Sequence, residues 1–232
     1  MCAGCSIPLR FKLALSSMEE IQEGIFSEGG NLYTVAAFDE EVYGENFVER
    51  QGESYRRWHP DRSKAGAAVK KDMELGLDRS DDVLYLGAAS GTTVSHFSDI
   101  LRDGFVFAVE YSDTVIRDLV HVAEDRKNIA PILADARNPG EYDDLVSEVD
   151  YVFQDISQKD QPEIFIRNAE KFLNSDGLAV LAVKAQSISS SRDPEEIFEE
   201  VKESLKTQFR LVDEVDLEPF EKDHLVLKMR PK

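Results

Sequence analysis

The sequence predicts an α/β fold: a doubly wound, mostly parallel sheet with helices on both faces, an antiparallel C-terminal strand pair and a small N-terminal β subdomain. Three observations predict it. From Asp82 onward, short apolar runs alternate with amphipathic helical stretches, the pattern of parallel strands buried on both faces. The last two apolar runs follow each other with no helix between them, which reads as an antiparallel edge pair. Upstream of Ser54 the β-prone runs are separated by glycines rather than by helices.

In chain order, Glu23 to Phe47 contains runs such as Leu32 to Ala37, split by Gly29-Gly30 and Gly44, and reads as a small antiparallel sheet. Ser54 to Lys64 follows as a connecting segment, then an alanine-rich helix to about Leu75. Pro60 and the N-cap candidate Ser63 place its start near Arg62. Strands are predicted at Val83 to Leu86, Phe105 to Val109, Ile129 to Leu133, Tyr151 to Phe153 and Leu178 to Val183. Helices are predicted at Thr92 to Leu101, Asp113 to Lys127 with Asp113 as cap, Glu141 to Val146, Gln161 to Leu173 and Pro194 to Leu205. Phe209 to Leu217 and His224 to Met229 form the closing pair. The expected division is a flexible N-terminal extension over 1–17, the β subdomain over 18–58 and the α/β domain over 59–232.

Composition bounds the function. No apolar run approaches the roughly 20 residues of a membrane helix, and Arg10 and Lys12 interrupt the stretch from Ile7 to Leu15. A cytoplasmic protein is expected. The formal net charge is −19. Nucleic-acid affinity comes mainly from Lys and Arg displacing counterions, so RNA binding requires a local basic patch or a basic partner. Cys2 and Cys5 are the only cysteines. With no second pair to complete a zinc site, they read as a terminal thiol pair, and no metal site is expected. The charged, patterned sequence begins at Met18, an alternative start.

A doubly wound sheet binds its ligand beyond the C-terminal ends of its strands. The first strand ends in Leu86-Gly-Ala-Ala-Ser-Gly-Thr-Thr93, where Gly87 and Gly91 allow a tight turn and close approach to a ligand. The G-x-x-x-G spacing is not the G-x-G-x-x-G of pyrophosphate binding. The second strand ends in Glu110-Tyr111, an acid placed to hold ribose hydroxyls and a ring able to cover an adenine. Asp135-Ala136 follows the third strand, where an acid can accept an adenine amino group. Asp155-Ile-Ser-Gln158 ends the fourth. Together these favour an adenosine-containing cofactor without a diphosphate.

At these residues the sequence meets a family. Leu84-Tyr-Leu-Gly-Ala-Ala-Ser-Gly-Thr-Thr-Val-Ser-His96 resembles the cofactor motif of fibrillarin. Tyr55 to Lys64 is similar to its Tyr-Arg-x-Trp-x-Pro-x-Arg-Ser-Lys segment, and Leu217-Glu-Pro-Phe-Glu-Lys-Asp-His224 to its C-terminal signature. The resemblance runs from roughly Glu23 to Arg230. It implies a Rossmann-like class I S-adenosylmethionine-dependent methyltransferase domain over 59–232 that methylates the ribose 2′-hydroxyl of ribosomal and transfer RNA. It implies S-adenosyl-L-methionine as cofactor, held by Gly87, Gly91, Thr92, Thr93, Glu110, Tyr111, Asp135, Ala136, Asp155, Ile156, Ser157 and Gln158. It also implies a catalytic set of Lys64, Asp155, Lys184 and His224. The chain departs from common family residues at His59, Gln154 and Ala185-Gln186.

The chemistry of that set is consistent with methyl transfer to a hydroxyl. A sulfonium already carries a good leaving group, so the protein must align the ribose oxygen and remove its proton. Lys184 is the candidate to hold or activate that hydroxyl. Lys64 and His224 are expected to orient it or to shift the proton balance, with Asp155 pulling on the lysines. Arg56, Arg57, Arg62, Lys64, Lys70 and Lys71 form the one basic cluster and read as phosphate-facing. Trp58 is expected either to stack on a base or to serve in a core or hinge. The resemblance further implies a box C/D guide RNA, target RNA, a coiled-coil scaffold protein and a kink-turn-binding protein as partners, and no membrane. Two readings compete: a small-molecule O-methyltransferase on the same fold, and a cofactor-binding subunit that only stabilises a ribonucleoprotein.

Overall fold

The computed structural model describes residues 17–232; the thiol pair Cys2 and Cys5 and nearly all of the expected extension lie outside them. The described chain forms two sheets. The first is antiparallel, in the order β1-β2-β3-β5-β4, built from β1 (Glu19–Gln22), β2 (Ile25–Glu28), β3 (Asn31–Val35), β4 (Phe47–Arg50) and β5 (Glu53–Trp58). β5 takes in the first part, Ser54 to Trp58, of what the sequence suggests is a connecting segment. Its buried and half-buried residues from Ser54 on pair with β3 on one side and β4 on the other.

A short 3-10 turn at Pro60–Arg62 leads into α1 (Lys64–Lys70), which ends five residues before the expected Leu75. Ser63 is its cap, as predicted, accepting from Gly66 N–H at 3.1 Å. Asp72 adopts a φ of 67°, and the chain leaves the helix there.

The second sheet contains β6 (Asp82–Leu86), β7 (Phe105–Glu110), β8 (Ile129–Leu133), β9 (Val149–Gln154), β10 (Leu173–Lys184), β11 (Phe209–Asp216) and β12 (His224–Pro231). Its order is β11-β12-β10-β9-β6-β7-β8. The strands from β6 to β10 are parallel; β12 runs antiparallel to both β10 and β11. Helices α2 (Thr92–Ile100), α3 (Ile116–Glu124), α4 (Gln161–Phe172), the single turn α5 (Ala185–Ile188) and α6 (Pro194–Leu205) connect the strands. Two apolar clusters, one on each face of this sheet, make the core.

Two helix predictions need correction. α3 begins at Ile116, not Asp113: residues 113–115 form a turn, closed by Val115 N–H on the Ser112 hydroxyl and Ile116 N–H on the Ser112 carbonyl, and Asp113 caps no helix N–H. The predicted helix from Glu141 to Val146 is a 3-10 turn at Pro139–Glu141 followed by turns. Pro139 and Gly140 leave too few residues there for a costly helix nucleus to propagate. No helix among the described residues is long and apolar enough to cross a membrane, and no cluster of three or more metal-ligating side chains occurs among them.

Candidate active site

The strand order reverses between β6 and β9, and the crevice at that switch point is where a doubly wound fold places its ligand. The two strand ends touch there: Asp155 N–H donates to the Leu86 carbonyl at 2.9 Å. Gly87 has a φ of 84°, and a Cβ at this position would lie 2.3 Å from the Asp155 carbonyl oxygen. Only glycine allows both the left-handed turn and the approach. Gly91, at φ 95°, then turns the chain into α2.

Beyond this contact lies a cavity of about 220 Å3. All the sequence-predicted cofactor residues except Gly91, Thr92 and Thr93 line it. Val109, Ala136, Ile156 and Ile164 supply apolar walls, and Glu110, Asp135 and Asp155 supply carboxylates. Glu110 is fixed by Ala89 N–H at 2.9 Å and Ser112 N–H at 2.8 Å, one on each oxygen. Asp135 accepts from the backbone N–H and the Nε of Arg137, at 2.9 and 3.2 Å. The Tyr111 ring stands at the mouth, 69% exposed. An apolar slot with three carboxylates and one arginine, itself paired, suits a cationic, hydroxyl-bearing ligand with a flat ring. Thr93 turns inward instead, its hydroxyl 2.9 Å from that of Ser63.

At the lip of the cavity, Lys64 Nζ meets Asp155 Oδ2 at 3.1 Å and lies 4.0 Å from Glu221 Oε1. Glu221 Oε2 is in turn 4.0 Å from His224 Nδ1. Lys184 and His224 are register partners across β10 and β12. Both main-chain groups of Lys184 bond to Gln161 rather than to β12, so this is a non-hydrogen-bonded pair, in which facing side chains approach most closely. No ion pair within 4 Å joins Lys184 to Asp155 or to Glu221 among the described residues.

His224 is 5% exposed. Burial pushes its pKa below the usual histidine value and nearby Lys64 adds to this, against the pull of the Lys222 carbonyl, Glu221 and Asp155. A neutral ring that donates Nδ1–H to the Lys222 carbonyl at 2.7 Å leaves Nε2 as a bare acceptor. That atom is buried and has no partner.

The structure corrects the basic cluster. Arg56 is fully buried, paired with Glu45 and, at 2.9 Å, with Asp99. Arg57 bonds to Asn31 at 2.7 Å and Lys71 to the Glu218 carbonyl at 2.7 Å. Trp58 has no exposed surface and stacks on His96 with ring centroids 4.7 Å apart. Arg56 and Trp58 cannot face a nucleic acid. Arg62, Lys70 and Lys71 are the exposed cations of the group, with the two lysines bonded to the Gly30 and Glu218 carbonyls.

Sequence reasoning missed Glu221, although it lies within the quoted C-terminal segment. It also missed Gln154 and Gln161, whose polar side chains give no outward sign of burial, and Ala89, Ala134 and Arg137 at the cavity.

The fibrillarin family model matches residues 16–231. The fibrillarin-like rRNA/tRNA 2′-O-methyltransferase of Methanosarcina mazei is 42% identical over 226 residues, covering 94% of this chain and 100% of the relative. Fibrillarin from a fibrillarin/Nop5p complex superposes with a TM-score of 0.87 at 40% identity, covering 92% of this chain and 100% of that one. Aeropyrum pernix fibrillarin in complex with natively bound S-adenosyl-L-methionine superposes with a TM-score of 0.81 at 36% identity, covering 92% and 99%. A match over nearly the whole chain, with the cavity at the family's cofactor motif, establishes that this chain belongs to the fibrillarin family.

Proposed function

We propose that this chain is the S-adenosylmethionine-dependent catalytic subunit of a box C/D ribonucleoprotein, methylating ribose 2′-hydroxyls of ribosomal and transfer RNA. The observation that carries the reading is the Lys64–Asp155 pair at a carboxylate-lined cavity, linked through Glu221 to His224, with Lys184 beside His224 in register. The residues present fit the cofactor. Glu110 is set to hold ribose hydroxyls, Asp135 and the Ala136 backbone to receive the adenine edge, and Tyr111 to cover the ring. The surplus of carboxylate favours a cationic sulfonium over a phosphate. When bound, S-adenosylmethionine supplies an electrophilic methyl group.

The chain's own side chains do the rest. Lys64 pairs with Asp155 and fixes its carboxylate. Lys184 holds the ribose hydroxyl oxygen and sets its direction of attack, the orientation term of catalysis. His224, neutral and buried beside Lys184 in register, orients that lysine, and the hydroxyl proton is released to solvent as the methyl–oxygen bond forms.

Guide and target RNA, a coiled-coil scaffold and a kink-turn-binding protein are the partners in this reading. A fibrillarin of the same fold is known in complex with Nop5p. The acidity of the chain, −19 overall, and the burial of Arg56 and Trp58 support delivery of RNA by partners rather than by this subunit alone.

The test is a reconstituted guide complex with labelled methyl donor, mapping alkali-resistant linkages in the target. Lys184→Ala is expected to lower single-turnover methylation by about 10³-fold, to a residual rate that is still measurable, while assembly survives. Full-rate methylation by that variant sinks the catalytic assignment. Methyl transfer to small catechol-like acceptors, with none to guided RNA, sinks the substrate.

A further inference from the structure

Three amide side chains, Gln154, Gln161 and Asn168, are completely buried, and the chemistry above uses none of them. Burying an amide is costly unless it is hydrogen-bonded, so each needs a reason. Asn168 has a structural one: it donates to the Ala136 and Ile164 carbonyls and accepts from the Tyr142 hydroxyl. The two glutamines lie at a fork in the sheet.

β9 and β10 run side by side as far as the pair Gln154–Leu181. β9 then ends, and β10 continues through Ala182 and Val183 to Lys184. A strand residue turns its N–H and C=O to the same side. Those of Lys184 point away from β12, toward the space that β9 has vacated. The Gln161 side chain fills it. Lys184 N–H donates to Gln161 Oε1 at 3.1 Å, and Gln161 Nε2 donates to the Lys184 carbonyl at 3.2 Å. One side-chain amide thus takes the place of a missing strand for a single residue. Gln154 Nε2 donates to the Gln161 carbonyl at 2.8 Å. The clamp is thereby tied to the end of β9, one residue before Asp155.

We propose that Gln161 is a positioning residue: its amide fixes the main chain of Lys184 and so sets where the ammonium group meets the ribose hydroxyl. This rests on the role given to Lys184 above. Both hydrogen-bonding ends of Gln161 serve that one residue, whereas an apolar side chain of the same size would fill the space without burying an amide.

A double-mutant cycle in the reconstituted guide complex tests it, read as single-turnover methylation. Q161M removes donor and acceptor at nearly constant volume. Its rate is expected to fall about 10- to 100-fold, the scale of a small misplacement of a reacting group. Cofactor Kd and target KM are expected to stay within about twofold, because only the oriented state is affected. In the Lys184→Ala background, Q161M adds no further loss. An unchanged Q161M rate, or an equal loss in both backgrounds, overturns the clamp and leaves Lys184 in its role. Full activity of Lys184→Ala alone overturns that role and the clamp with it. Should Q161M fail to fold, Q161E keeps the question open to measurement. A protonated carboxyl offers one donor and one acceptor, as the amide does; an ionised one offers only acceptors. The rate of Q161E relative to the unmodified chain rises as pH falls; a ratio that stays flat with pH overturns the proposal.

Discussion

Two clusters in this molecule pair cations with carboxylates, and they are built for different ends. Beneath α2, Arg56 and Arg126 meet Glu45 and Asp99 out of contact with water. Every donor nitrogen of Arg56 has an acceptor: Asp99 for Nε, Glu45 and the Glu40 carbonyl for Nη1, the Phe38 carbonyl for Nη2. Asp99 also receives Thr34 and the Ala37 N–H. This cluster ties the N-terminal sheet to the helix that starts at the cofactor loop. At the cavity, Lys64, Asp155, Glu221 and His224 are spaced at 3.1 to 4.0 Å. Lys64 and Asp155 there remain about one-fifth exposed, and the His224 Nε2 has no partner at all. In the first cluster the planar Arg56 fork has every nitrogen paired and Arg126 Nη2 is buried without a partner, whereas the second holds its cation on a flexible lysine at a partly exposed edge, with capacity for a substrate.

The sharpest break in that comparison comes from Arg56→Met. It leaves buried Glu45 without its cation and takes from Asp99 one of two, Arg126 remaining, and a loss of about 3–5 kcal/mol of folding stability is expected. A urea unfolding midpoint close to that of the unmodified chain would contradict the description of a buried, mutually paired network. Asp155→Asn should do the reverse: a partly exposed pair contributes about 0–1 kcal/mol to stability, whereas methylation falls by about 10²- to 10³-fold. Comparable shifts in both quantities would erase the distinction between the clusters. Glu110→Gln is expected to weaken cofactor binding by about 10-fold, the scale of one hydrogen bond to a charged group, measured by calorimetry with little change in the melting temperature.

The smallest effect is in pH. His96, between the two clusters' elements, is held well below the usual histidine value by burial first and then by Arg56 and Arg126; His224 is lowered by burial and Lys64. In the unfolded chain both titrate near 6.5. The unfolded state therefore binds more protons just below that pH, and stability rises with pH there. The histidine contribution is fully present above 6.5 and is lost as pH falls through the lower folded values. Unfolding midpoints measured across that range check the sign.

The catalytic fold was legible because a buried parallel sheet writes long apolar runs into the chain. Strand ends were legible for the same reason, and with them the positions of Gly87, Glu110, Asp135 and Asp155. Helix limits were less so: Asp113 has the chemistry of a cap, but the chain spends residues 113–115 on a turn closed by Ser112 before α3 begins. Trp58 takes the core role that its residue type left open beside base stacking, but Arg56 misled because its burial is decided elsewhere. Glu45, Asp99 and Arg126 are distant in sequence, and nothing local marks them as partners. Gln161 was invisible as a clamp because its role exists only where β9 stops short of β10.

The hairpin of β11 and β12 gives the order of strands a temporal meaning. Lys64 precedes the first strand of the large sheet, while His224 opens its last strand. A chain emerging from the ribosome displays its glycine turn and acidic rim long before the final histidine exists. Until β12 slots against β10, Lys184 faces no His224, and a prematurely terminated polypeptide is left without that register partner.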